Sequence, residues 1–247
     1  MDLTGEFAAI QIAFALLAAL GSAFVRGLTG FGMAILLVPV LALVLTPVEA
    51  VLVANVLSLL IGLSEIRRLV RNAERSARTI IALVVLATPA GLLALSLTSP
   101  QLARLLIAAI ALAAFLAVLL PRRATAAPGH LTTGGVGIAS GLLTGYAGMP
   151  GPPVIPYYVG RDMPRETAKA SMMLIFTAAS ATGLVSGTAM GLLTGHTAVL
   201  GLLLFPAVLA GNWLGNRVSG RVGDRTWRIF VGVTLAGAAL AALVKLV

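Results

Sequence analysis

Ten apolar stretches run along the chain, at about 7–28, 31–45, 47–66, 79–97, 102–120, 131–147, 149–160, 165–192, 197–215 and 227–246, with polar residues confined to the short joints between them. Most approach the ~20 residues that a helix needs to cross ~30 Å of hydrocarbon. The stretches 31–45 and 149–160 do not, and both are interrupted by Gly or Pro. The pattern predicts an all-α polytopic membrane protein with two short, broken helices. Where a segment too short to span follows Gly-rich sequence, the geometry expected is a pair of half-helices or a re-entrant hairpin, which membrane proteins tolerate only when it is buried in protein or lines a cavity.

The order of the stretches repeats. At a spacing of 117 residues Pro39 matches Pro156, Pro47 matches Pro164, Glu49 matches Glu166 and Pro89 matches Pro206. With a two-residue insertion Leu28-Thr29-Gly30-Phe31 matches Leu143-Thr144-Gly145-Tyr146. One membrane domain over 1–247 is expected, with repeat 1 at about 7–120 and repeat 2 at about 131–246, each of about five segments. Five is odd, so the second copy must enter the membrane from the opposite side. Loop charges test this independently: the loop 67–78 carries five arginines and its counterpart 193–197 none, whereas 98–101 is uncharged and its counterpart holds Arg217, Arg221, Arg225 and Arg228. Basic loops stay on the cytoplasmic side, so these loops, with Arg122 and Arg123, are assigned inside, and both termini outside.

Composition agrees. Of 247 residues 59% are hydrophobic and 10% charged, with a mean hydropathy of +1.05, too little polar surface for a water-soluble domain of this size. The net charge of +9 sits in the joints rather than along one solvated face, which argues against nucleic acid as a partner. There is no cysteine, and His130 and His196 lie far apart, so neither a disulfide nor a metal or other cofactor is expected. Asp2 and Glu6 precede the first stretch where a secretory leader needs positive charge, so it reads as a retained segment.

The two breaks are Gly27-Leu28-Thr29-Gly30-Phe31-Gly32-Met33 and Thr144-Gly145-Tyr146-Ala147-Gly148-Met149-Pro150-Gly151-Pro152-Pro153. In inverted-repeat transporters broken helices at matching positions form the substrate site, their N-termini turned toward anionic groups. A Gly-rich break, an apolar run to Pro, then Pro-x-Glu-Ala or Pro-x-Glu-Thr, twice in the chain, resembles the TauE/SafE (sulfite exporter) family, and the resemblance covers nearly the whole length. It implies transport, in the export direction, of a small sulfur-containing anion such as sulfite or an organosulfonate across the bacterial inner membrane.

The candidate substrate-binding residues are therefore Arg26, Thr29, Gly30, Phe31, Gly32, Asn55, Tyr146, Gly148, Met149, Pro150, Gly151 and Pro152. Arg26 carries two readings: a cation snorkelling to the inner interface, or a guanidinium beside the break, where an unpaired charge is expensive and usually functional. Asn55 could contact substrate or hydrogen-bond between helices, the commoner role of a membrane Asn. Thr46-Pro47-Val48-Glu49 reads as a capping box, so Glu49 and Glu166 are assigned to helix starts before proton coupling. Glu65 and Arg68 make a local pair one turn apart, Tyr157 and Tyr158 are expected as interfacial anchors, and Lys169 as a snorkelling cation or a lure for anions.

No Gly-x-x-x-x-Gly-Lys-Ser/Thr loop is present for nucleotide phosphates. A secondary transporter is expected, its energy drawn from the substrate's own gradient or from a coupling ion, proton or sodium; its assembly is open between monomer and homodimer. The alternatives are an anion channel and an intramembrane enzyme such as a lipid-diphosphate phosphatase. Hydrolysis would require a base and nucleophile at the break tips, and Thr29, Thr144 and Tyr146 have no carboxylate or His adjacent in sequence.

Overall fold

A computed structural model describes residues 9–119, 128–159 and 161–218. Over these residues the chain is helical throughout: α1 (Ala9–Thr29), α2 (Met33–Leu41), α3 (Pro47–Leu63), α4 (Ile66–Asn72), α5 (Ser76–Leu97), α6 (Pro100–Leu119), α7 (His130–Ala147), α8 (Gly151–Val159), α9 (Arg165–Ala189) and α10 (Gly195–Val218). Five of them, α1, α5, α6, α9 and α10, are long and apolar enough to cross a membrane; α3 and α4 together make a sixth candidate, bent by 75° at their junction. The expected segment at 227–246 and the arginines at 122, 123, 221, 225 and 228 lie outside the described residues.

Local chemistry explains the ends. The α3 start is the expected capping box: Thr46 accepts from the Glu49 N–H, Glu49 accepts from the Thr46 N–H at 2.8 Å, and Pro47 occupies the first turn, where its missing N–H costs nothing. The matching start of α9 differs. Pro164 is itself the N-cap, no side chain caps the turn, and Glu166 is free to meet Arg68 at 3.2 Å. The loop expected at 67–78 contains the unforeseen α4, whose single buried apolar side chain, Leu69, packs with Ala170 and Met173 of α9.

Helices meet through absent side chains. The most extensive contacts are α5 on α7 and α1 on α10, followed by α9 against α5 and α3. A Cβ on Gly145 of α7 would strike the Thr88 carbonyl of α5, one on Gly91 the Leu142 carbonyl, and one on Gly215 of α10 the Phe24 carbonyl of α1. Between apolar helices in lipid there is no hydrophobic drive to association, so close backbone approach supplies the dispersion energy that holds the pairs. At the α3–α9 crossing, Thr177 packs on Gly62 and Asn55 on Gly183.

Gly145→Ala and Gly215→Ala should each separate a helix pair and lower stability by about 1–3 kcal/mol, read as a fall in the thermal unfolding midpoint in detergent. Gly134→Ala, where nothing lies within 4 Å of the added methyl, serves as the comparison and should leave the midpoint unchanged or slightly raised.

Candidate functional site

Both breaks are built on glycines in the left-handed region. The α1 end is closed by a Gly30 N–H to Arg26 carbonyl bond of 2.7 Å, with Gly30 at φ 86° and Gly32 at φ 93°. The Thr29 hydroxyl accepts from the Phe31 N–H at 3.2 Å and lies within hydrogen-bond distance of the Val25 and Phe31 carbonyls, so it is occupied with its own turn. α7 ends on Gly148 at φ 66°, where Gly148 and Met149 N–H groups return to the carbonyls of Thr144 (2.9 Å) and Leu143 (3.2 Å), a glycine-terminated helix end. The buried Ser140 hydroxyl donates to the Pro150 carbonyl at 2.9 Å and holds the second break in place.

The breaks, at 27–33 and 144–153, lie far apart in sequence yet meet in space. Phe31, Gly32, Met33, Ala34 and Ile35 from the first, with Met149, Pro150, Gly151 and Ile155 from the second, line one cavity of about 50 Å³, closed by Ser58, Ile61 and Gly62 of α3 and by Met173, Phe176 and Thr177 of α9. A water requires ~10–15 Å³ by a comparable measure, so the space fits a small solute. α2 begins at this cavity. Its first-turn N–H groups, on Met33, Ala34 and Ile35, have no acceptor within the helix, as at any helix start. α8 is poorer in donors, because Pro152 and Pro153 in its first turn carry no N–H.

Arg26 is the charged residue of this cavity. It is 8% exposed, so it is buried in the bundle rather than snorkelling. Its guanidinium donates to the Asn212 Oδ1 of α10 at 3.2 Å and touches the Met173 sulfur at 3.9 Å, and among the described residues no carboxylate lies within ion-pair distance of it. A second, more polar cavity of about 250 Å³ shares Arg26 and Met173 with the first and is lined also by Gly30, Glu65, Arg68, Lys169, Asn212 and Asn216.

Of the twelve candidates, Arg26, Phe31, Gly32, Met149, Pro150 and Gly151 come together in the first cavity, and Gly30 lies in the second. Thr29, Tyr146, Gly148, Pro152 and Asn55 line neither. Tyr146 points its hydroxyl at Thr98, 3.4 Å away. Gly148 seats the second break on α2 and α3, where a Cβ would come within 3.1 Å of Val38. Asn55 is 1% exposed against Gly183, and neither end of its amide has a partner among the described residues.

No cluster of His, Cys, Asp or Glu able to hold a metal occurs among the described residues. A family model for the sulfite exporter TauE/SafE matches residues 14–242. The chain belongs to the TauE/SafE family. Members of the family are transporters, not enzymes, and the chain is accordingly a multi-pass membrane protein with a transport role. Neither the curated proteins nor the solved structures include a match to it.

Around the TauE/SafE cavities several residues missed in the sequence act as supports. Asn212, 186 residues away from Arg26 in sequence, and Asn216 both come from α10. Tyr157 and Tyr158, expected at an interface, are buried at 7% and 1% exposure: Tyr157 pairs with Thr133 at 2.9 Å and Tyr158 with Ser76 at 2.8 Å. Beyond α8, Arg161 grips Glu74 through two hydrogen bonds of 2.6 and 2.8 Å and stacks over both tyrosines, tying the α8 exit to the α4–α5 joint. The only sequence signals for this tie were an isolated Arg and Glu in two different joints.

The Arg161 fork holds the Glu74 carboxyl below its ordinary range; partial burial opposes this and the Ser76 hydroxyl adds to it. A carboxyl depressed in the folded state stabilises fully above its unfolded pKa of about 4.3 and loses that contribution as pH falls through the lower folded value. The unfolding midpoint should therefore drop below about pH 4. Glu74→Gln should lie lower at neutral pH, by on the order of 1 kcal/mol, and lose less on acidification, as thermal scans across pH will read.

Proposed function

We propose that the chain is a secondary transporter of a small sulfur-containing oxyanion, sulfite or an organosulfonate, with the substrate held between the two breaks. The observation that carries this reading is the convergence of both Gly/Pro breaks on one cavity whose charged wall is the buried Arg26, which has no carboxylate in ion-pair contact among the described residues. A buried guanidinium without a carboxylate in contact is costly, and an anion between it and the α2 N-terminus offsets that cost. The planar fork of donors suits two oxygens of a sulfonate or sulfite together. Phe31, Gly32, Met149, Pro150 and Gly151 form the remaining wall: the glycines let backbone approach the ligand, and the apolar groups exclude water.

Two repeats of inverted topology would carry the motion. Support comes from the exchange of partners: the first helix of each repeat packs on the fourth of the other, α1 on α10 and α7 on α5, while the third helices, α3 and α9, cross each other. The loops meet in the same sense. Arg68 with Glu166 and Arg161 with Glu74 gather the α3–α5 and α8–α9 joints at one end of the bundle, which the basic residues assign to the cytoplasmic face of a bacterial inner membrane. The second cavity lies at that end, so the arrangement reads as open inward. Thr29, Gly30, Tyr146, Gly148 and Pro152 then shape and hinge the breaks rather than touch substrate, and Asn55 belongs to the α3–α9 crossing.

With no native cysteine, single-cysteine variants report topology cleanly. Thr98→Cys and Gly195→Cys should react with an impermeant maleimide added outside whole cells, and Asn72→Cys only after permeabilisation. Reaction of positions 72 and 195 from the same side would refute the inverted arrangement.

Arg26 tests the site. Purified Arg26→Ala protein, folded by size exclusion, should bind sulfite and methanesulfonate about ten- to a hundred-fold more weakly in calorimetric titration, with Arg26→Lys intermediate. Unchanged affinity in Arg26→Ala would remove the guanidinium from the site.

A further inference from the structure

The second cavity holds a charge pattern that the first does not. Lys169 of α9 lies half-buried across the first break: a Cβ on Gly30 would come within 3.1 Å of its Cε and 3.6 Å of its Nζ, so the bare glycine makes room for the lysine stem. Arg26 lines the same space from α1. Among the described residues neither cation has a carboxylate within 4 Å. The one acid in the lining, Glu65, is engaged by Arg68, whose other terminal nitrogen reaches the largely exposed Glu166. Two cations thus line one space of about 250 Å³ without a carboxylate in ion-pair contact with either. Burial of the Arg26 guanidinium disfavours the empty state.

We propose that this cavity is a separate station for a doubly charged oxyanion, held between the Arg26 guanidinium and the Lys169 ammonium. A dianion compensates both cations, whereas a monoanion leaves one of them unpaired; discrimination therefore rests on charge more than shape. Amides complete the station. Asn212 spends its carbonyl oxygen on Arg26, which leaves its N–H₂ for a ligand, and Asn216 lies one turn further along the same face of α10. Because Arg26 also walls the cavity between the breaks, an anion can pass from one station to the other while keeping one ligand, so the cost of stripping its water is met in two steps. The inference rests on the anion-transport reading and adds a site and a charge preference to it.

The test compares sulfate, a dianion, with methanesulfonate, a monoanion of similar tetrahedral shape, as stabilisers of the purified full-length protein, since a ligand bound only to the folded state raises the unfolding midpoint. Wild type should respond to sulfate at concentrations about ten-fold lower than to methanesulfonate. In Lys169→Gln the sulfate response should weaken about ten-fold, and the methanesulfonate response should change less than about three-fold. Lys169→Arg should keep the sulfate preference and shows that charge, not packing, is read. An undiminished sulfate response in Lys169→Gln, or equal loss of both responses, overturns the station. If wild type responds to methanesulfonate without preferring sulfate, the station falls while the site at Arg26 stands; if no anion stabilises wild type, both fall.

Discussion

A helix that stops inside a membrane leaves N–H and C=O groups that hydrocarbon cannot satisfy, and much of this structure follows from that constraint. The chain stops twice, at Gly30–Gly32 and at Gly148–Pro150, and each time glycine in the left-handed region turns the last carbonyls back onto neighbouring N–H groups. Side chains supply the rest: the Thr29 hydroxyl within its own turn at the first break, and Ser140 from the preceding helix at the second. The first-turn N–H groups of α2 remain unclaimed within their helix, on residues that line the first cavity. Burying the breaks requires that long helices close around them without intervening side chains. The glycines at the α5–α7 and α1–α10 contacts allow that approach.

Electrostatics follow the same logic from the opposite sign. Of the basic residues at the loop end of the bundle, Arg68 and Arg161 are partnered by carboxylates, and these pairs join separate segments of the chain. Arg26 and Lys169 lack such partners; both line the more polar cavity, and Arg26 lines the first as well. Ion pairs therefore hold the periphery together while these two cations are left to line the cavities. A transporter needs this division, because a cation already neutralised by protein has little to offer an anion, and an anion held by too many cations does not leave.

Much of this was legible in the sequence because it is local. Period and length marked nine helices among the described residues, the capping box placed the α3 start, and the Pro39 and Pro156 pair marked the two short helices. Half of the candidate site residues meet in one cavity because they were chosen from two contiguous breaks. What failed was set by tertiary neighbours. No period reveals that Asn212 reaches Arg26 across 186 residues, or that Lys169 lies over a glycine. The α4 helix, polar in composition, is held by packing on α9 through Leu69, and a loop reading missed it for that reason. Tyr157 and Tyr158 were expected at the interface from residue type alone, but hydroxyl partners on α5 and α7 allow them to be buried.

The central claim is that the two breaks and Arg26 form one oxyanion site. Selenite, the heavier congener of sulfite, makes that claim visible by anomalous diffraction from crystals of the protein soaked with it. The account predicts an anomalous peak at hydrogen-bonding distance from the Arg26 guanidinium, about 3 Å, bounded by Gly32 on one side and Gly151 on the other. Selenium confined to exposed arginines such as Arg75, with no peak between the breaks, would contradict it.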